Sequence, residues 1–245
     1  YYCFRALSEE NDDYFQPYKQ VLFQLSDQVS SNEVRDLLQL GINFCIKQLN
    51  QGINNYIAEA FNLYRLGLER ELLYNEGFIT RFAYKNIVAL GLNMEEYEWT
   101  EQFLLQYKER LQPRYRKSNF NFNRARWFYT QKKYEAAYRH LQAVDESDFL
   151  LSFGAKIMLI KMYYELNELT ALESLLDSFR VQVNRKKGLS YHKLHFLKTI
   201  KFTKQLMSLM PKDKEKIKAL KEEILEAGVL GEREWLLEQL AKIEG

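Results

Sequence analysis

The chain has 245 residues, and its 35 Lys/Arg stand against 33 Asp/Glu for a formal net charge of +2. That balance excludes wholesale electrostatic capture of nucleic acid or anionic membrane, which draws on a surplus of basic residues. Hydrophobic residues make up 47% of the chain, enough for a continuous core. With 10 Gly and 3 Pro, turn formers are too scarce for a sandwich or barrel, whose tight hairpins want residues tolerant of positive φ.

The two cysteines, Cys3 and Cys45, have no CxxC spacing and cannot build a disulfide framework. A reducing compartment, the cytoplasm, is expected. No apolar run approaches the roughly 18 residues that span a bilayer. The most apolar stretch, 149–164, is interrupted by Lys156 and Lys161. No membrane partner is therefore expected. The chain opens at Tyr1 without a basic segment leading into an apolar one, unlike a signal peptide. Residues 1–245 read as a single helical-repeat domain, the C-terminal part of a longer chain.

Apolar residues recurring with a helical period place helices at about 12–28 and 31–50. The second opens with Ser30 and Glu33 at capping-box spacing, and its stripe Leu38, Ile42, Cys45, Leu49 makes Cys45 a core residue. A helix over about 54–72 follows the break at Gly52, and another over about 78–91 follows Gly77. Asn93 and Glu96 give a second capping-box spacing, opening a helix that runs to Leu111 and is ended by Pro113. Helix pairs are expected at about 118–131 with 134–144, and 154–166 with 168–184. Gly188 precedes a helix at about 190–209 stopped by Pro211, and two closing helices cover about 213–227 and 232–243. Short links make sequential helices antiparallel.

Residues 123–144, NRARWFYTQKKYEAAYRHLQAV, resemble a tetratricopeptide repeat. Ala125 stands where that family keeps a small residue, Phe128 at the first-helix aromatic position, and Tyr134 and Ala137 at the opening of the second helix. Tyr163 and Leu169 repeat Phe128 and Tyr134 at a spacing of 35, near the roughly 34 of this repeat. Tyr97 precedes Tyr134 by 37. The pattern departs at Arg124, usually apolar, and at Leu172, usually small, and it lacks the Pro that usually ends a unit. The resemblance covers about 78–184, with 190–245 as closing helices. It implies an all-α fold of antiparallel helix pairs stacked as a right-handed α-α superhelix. The runs LLYNEGFITRFAYKNIVALGLNMEEYEW and KEEILEAGVLGEREWLLEQL also resemble segments of large, uncharacterised bacterial proteins built from such helices, a likeness that carries no activity.

Catalytic constellations are missing from the pattern. There is no glycine-rich phosphate loop or nucleophile elbow. His192 and His195 have a metal-compatible spacing, but only His140 remains to complete a set of three or four ligands, so they read as polar residues on a basic face. Neither enzyme activity, a metal nor a cofactor is expected. Basic residues are locally dense: Arg114, Arg116, Lys117, Arg124, Arg126, Lys132, Lys133 and Arg139 fall within 112–140 beside one acid, Glu135. Residues 180–204 carry eight more and no acid. Two readings stand: solvated faces neutralised by neighbouring helices, or an electropositive groove.

The resemblance puts the first helix of each pair on a concave groove. It assigns Phe122, Arg126 and Tyr129 to that groove in one repeat, Ile157, Lys161 and Tyr164 in the next, and Lys85 in the one before. Basic and aromatic side chains on a concave wall suit an acidic, extended peptide, through charge-assisted hydrogen bonds and ring packing. The expected function is a non-catalytic scaffold for a protein partner. The alternatives are a helical repeat gripping single-stranded nucleic acid, by phosphate contacts and stacking, and a sensor domain of a larger protein.

Overall fold

Twelve α-helices and one short hairpin make up the described part of the chain, residues 14–25, 30–189 and 191–244 of the computed structural model. Cys3 and both ends of the first expected helix lie outside those residues. Contacts divide the chain into two compact units, Tyr1–Asp145 and Glu146–Gly245.

The first unit contains α1 (Phe15–Leu25), α2 (Ser31–Asn50), α3 (Tyr56–Glu69), β1 (Tyr74–Asn75), β2 (Phe78–Ile79), α4 (Arg81–Asn93), α5 (Tyr97–Gln106), α6 (Pro113–Thr130) and α7 (Tyr134–Leu141). Each helix packs on its sequence neighbour, and α4 also packs on α6. The capping box forms as read: the Ser30 side chain accepts from the Glu33 amide, and the Glu33 carboxylate accepts from the Ser30 amide at 3.1 Å. Cys45 is fully buried.

Three local readings are corrected. Asn93 caps nothing; it ends α4, and Glu96 is the N-cap of α5 without a side-chain hydrogen bond. Pro113 opens α6 at its first turn, where a missing N–H costs nothing and the ring presets φ. The break at Gly77 is a hairpin in which Glu76 (φ 51°) and Gly77 (φ 79°) both take the left-handed conformation that a two-residue turn demands.

The second unit contains α8 (Phe149–Glu165), α9 (Leu169–Arg185), α10 (Tyr191–Met207), α11 (Lys214–Glu226) and α12 (Arg233–Glu244). Phe153, Phe179 and Phe196 meet edge-to-face at 5.1–5.7 Å in one core cluster. A second cluster joins Phe202, Leu206, Ile217 and Ile224 to Trp235, Leu236 and Leu240 of α12. Glu234, Glu238 and Lys242 of α12 face solvent.

One backbone turn recurs at helix ends: it closes α2 and α3, through Ile53 N to Gln48 O at 3.1 Å and Leu72 N to Gly67 O at 2.8 Å, and it closes α4, α6 and α8 as well. The last three close with the same six-residue hydrogen bond, Glu96 N to Gly91 O at 2.9 Å, Lys133 N to Phe128 O at 3.0 Å, and Glu168 N to Tyr163 O at 2.8 Å. In each of these three turns one residue adopts the left-handed conformation, Glu95, Lys132 and Asn167, all at φ 59°. Phe128 and Tyr163, 35 positions apart, each supply the accepting carbonyl of such a turn.

The side chains at the two departing positions, Arg124 and Leu172, are accounted for by their packing. Arg124, at a usually apolar position, lies over Trp127 and Phe128 at 4.3 and 4.8 Å and pairs with Glu101 at 2.6 Å, so its stem and planar face take an apolar role. Leu172 is fully buried in the core of the second unit. The small residues Ala125 and Ala137 are fully buried, allowing α6 and α7 close approach.

Candidate interaction surface

The expected groove residues fall into both units, four in the first and three in the second. In the first unit Lys85 on α4 and Arg126 on α6 come within electrostatic range because those helices pack side by side. Lys85 is solvent-exposed. Lost hydration, and then the Arg126 guanidinium, hold its ammonium below the usual lysine range. Two cations thus stand on packed neighbouring helices. Tyr129, half-buried one turn beyond Arg126, has its ring 6.0 Å from Tyr134 and 5.4 Å from the Lys132 ammonium.

Phe122 does not join them. At 7% exposure its ring is spent on packing, because α6 is enclosed by α4, α5 and α7 and so buries a broad face. Asn119 and Asn123, on that same buried part of α6, donate to the Tyr115 and Asn119 carbonyls at 3.0 and 2.8 Å.

In the second unit Lys161 and Tyr164 meet the chain's own last helix. Lys161 pairs with Glu232 at 2.9 Å, with both side chains about one-fifth exposed. Its ammonium stands 5.7 Å from the Trp235 ring, and that ring meets Tyr164 edge-on at 5.5 Å. The Trp235 N–H donates to Glu165 at 2.8 Å. Burial raises the Tyr164 hydroxyl above the usual range. Ile157, the third position expected here, is buried in the core.

Among the described residues, five of the sixteen dense cations form ion pairs, one of them within a single helix. Arg116 pairs with Glu109 at 2.7 Å, Arg124 with Glu101, Arg139 with Glu135, Lys201 with Glu223 and Lys204 with Asp177. These pairs favour the solvated-face reading for part of both basic segments.

The histidine reading needs correction. His195 is not a solvated polar residue: it is half-buried, its ring lies 5.0 Å from Phe196, and its Nδ1 accepts a hydrogen bond from the Gly231 amide at 2.9 Å. Nothing in the local pattern around His195 announces a partner 36 positions away. Among the described residues, no three His, Cys, Asp or Glu side chains are grouped to hold a metal ion, and no helix is long and apolar enough to cross a membrane.

One cavity of about 130 Å³ opens between α3 and α5, lined by Arg65, Trp99, Gln102, Phe103, Gln106 and Tyr107. It is smaller than the roughly 300 Å³ at which pockets begin to enclose a drug-sized molecule. Comparison of the chain with known protein families, characterised proteins and solved structures finds no match.

Proposed function

We propose that this chain is a non-catalytic scaffold of tetratricopeptide-like helix pairs, whose first unit offers Lys85, Arg126 and Tyr129 to an acidic segment of a partner protein. The observation that carries this reading is the placement of Lys85 and Arg126 on the packed helices α4 and α6, where the guanidinium adds to lost hydration in holding the ammonium below the usual lysine range. Holding two like charges together is unfavourable, and a carboxylate placed near both relieves the repulsion while gaining charge-assisted hydrogen bonds. Tyr129 adds a ring for the neighbouring side chain of the ligand. The packing of each helix on its sequence neighbour within each unit is compatible with the repeat architecture. The reduced, buried Cys45 suits a reducing compartment such as the cytoplasm.

The second unit offers an internal precedent for this chemistry. There Lys161 and Tyr164 hold a carboxylate and an aromatic ring, Glu232 and Trp235, from the same chain. A single-stranded nucleic acid is the weaker reading, because acids from neighbouring helices already engage some of the clustered cations. The test is NMR titration with a flexible Asp/Glu-rich peptide. Shifts confined to residues around Lys85, Arg126 and Tyr129 support the proposal. Shifts spread over every basic segment, or none, contradict it.

A further inference from the structure

We propose that His195 is a pH-sensitive latch that fastens the N-terminal turn of the closing helix α12 to α10. The contact is one-sided in its chemistry. A backbone N–H can only donate, so the Gly231 amide at 2.9 Å requires an unprotonated Nδ1 and places the proton of the neutral ring on Nε2. Protonation at Nδ1 would set two donors face to face, and the ring would have to turn away from the link.

The surroundings make this contact specific. Gly231 leaves room for the ring: a Cβ there would stand 2.7 Å from His195 Cε1, too close for any real contact. The next residue, Glu232, is the one that reaches Lys161, and Trp235 follows one turn later. The rest of the link is held by groups that keep their charge at neutral pH. Arg233 donates to the Ala227 and Gly228 carbonyls at 3.3 and 2.7 Å, and Lys198 reaches the Ala227 carbonyl at 3.5 Å. His195 is the member of this set whose ordinary charge change falls between about pH 5 and 8.

The charges acting on His195 oppose one another. Burial is the largest influence and lowers its affinity for a proton; Glu232 of the closing helix raises it, and His192 of its own helix lowers it. Lys161 of α8 stands behind Glu232 and neutralises part of that carboxylate's pull. The net displacement is downward. Linkage then fixes the sign: the folded chain holds the proton less tightly than the unfolded one. The contribution of the latch is complete above the ordinary histidine range and is lost as pH falls through the folded value. Mild acid loosens the Gly231–Trp235 turn and exposes the Lys161–Tyr164 surface beneath it.

The experiment compares the full chain with His195→Asn and His195→Leu. Asn places a carbonyl oxygen near the Nδ1 position and does not titrate; Leu removes the acceptor. Long-range ¹H–¹⁵N NMR should show His195 Nδ1 unprotonated and Nε2 protonated at about pH 7.5, with Gly231 amide protection lost toward about pH 5.5. Over that interval the melting temperature of the native chain should fall by about 2–4 °C more than that of His195→Asn. His195→Leu should lack Gly231 protection at both pH values. A protonated Nδ1 near neutrality, or equal pH dependence in the native chain and His195→Asn, overturns the proposal.

Discussion

Truncating Trp235 to Ala removes the side chain that joins the closing helix to α8. The ring is 6% exposed, meets Tyr164 at 5.5 Å, lies under the Lys161 ammonium at 5.7 Å and donates its N–H to Glu165 at 2.8 Å. Loss of a buried Trp side chain costs about 3–5 kcal/mol in transfer and cavity terms, and the surroundings here leave little room for collapse. Leu236 and Leu240, both essentially unexposed, flank the void on the same helix. At about 2–4 °C per kcal/mol for a chain of this size, the melting temperature should drop by about 6–20 °C. Circular dichroism at 222 nm during heating and urea titration measures the loss. Trp235→Phe separates the contributions: it keeps most of the ring contact and forfeits the hydrogen bond to Glu165, about 1.5–3 kcal/mol for a charged acceptor. A Trp235→Ala chain that melts with the native one would mean that α12 is a free tail and that the described packing is wrong.

Gly91 should not tolerate a methyl group, because a Cβ there would lie 2.2 Å from the buried Thr100 Oγ1. Gly91→Ala should cost about 1–3 kcal/mol by overpacking, and Thr100→Ala in the same chain should recover part of it, as a double-mutant denaturation cycle would show. Lys132→Gly, at φ 59°, should raise stability by about 0.5–1 kcal/mol in urea titration, since relief of left-handed strain exceeds the added chain entropy. Lys85→Met should leave the melting temperature unchanged or raise it at neutral pH. The folded-state ammonium is held below the usual lysine range, so the unfolded chain binds that proton more tightly, and full stability at this position returns only above the ordinary value. A clear loss of stability in Lys85→Met would show that Lys85 has a structural role.

Where periodicity and capping act locally, the fold was legible from the residues alone. The stripe Leu38, Ile42, Cys45 is core, the Ser30–Glu33 box caps α2, and Trp235, Leu236 and Leu240 close the second unit. Proline direction was harder: Pro113 suits either a helix stop or a first turn, and only the neighbouring packing decides. The turn at Glu76–Gly77 was hidden because the strands it joins have only two residues each, too short for alternation to register. At the candidate surface, residue type and repeat position singled out Lys85 and Arg126, which lie on the packed helices α4 and α6. They could not show that Phe122 and Ile157 turn inward, since α6 packs on α4, α5 and α7, and α8 on α9 and α10, which buries more of each helix than a simple amphipathic stripe. Nor could they show that Glu232 and Trp235 reach Lys161 and Tyr164, a pairing across 71 positions that depends on tertiary structure.

The central claim is that the paired cations of the first unit, rather than diffuse charge, recognise an acidic partner. Fluorescence anisotropy with a labelled Asp/Glu-rich peptide tests it by comparing Lys85→Glu/Arg126→Glu with Lys132→Glu/Lys133→Glu, an equal charge reversal at the turn between α6 and α7. Each lost charge-assisted contact is worth about 1.5–3 kcal/mol, so the first double variant should weaken binding by at least about a hundredfold, and the second by less than about tenfold. Helicity should stay at the native level in both. Equal losses in the two variants, or undiminished binding by the Lys85/Arg126 variant, would contradict the account.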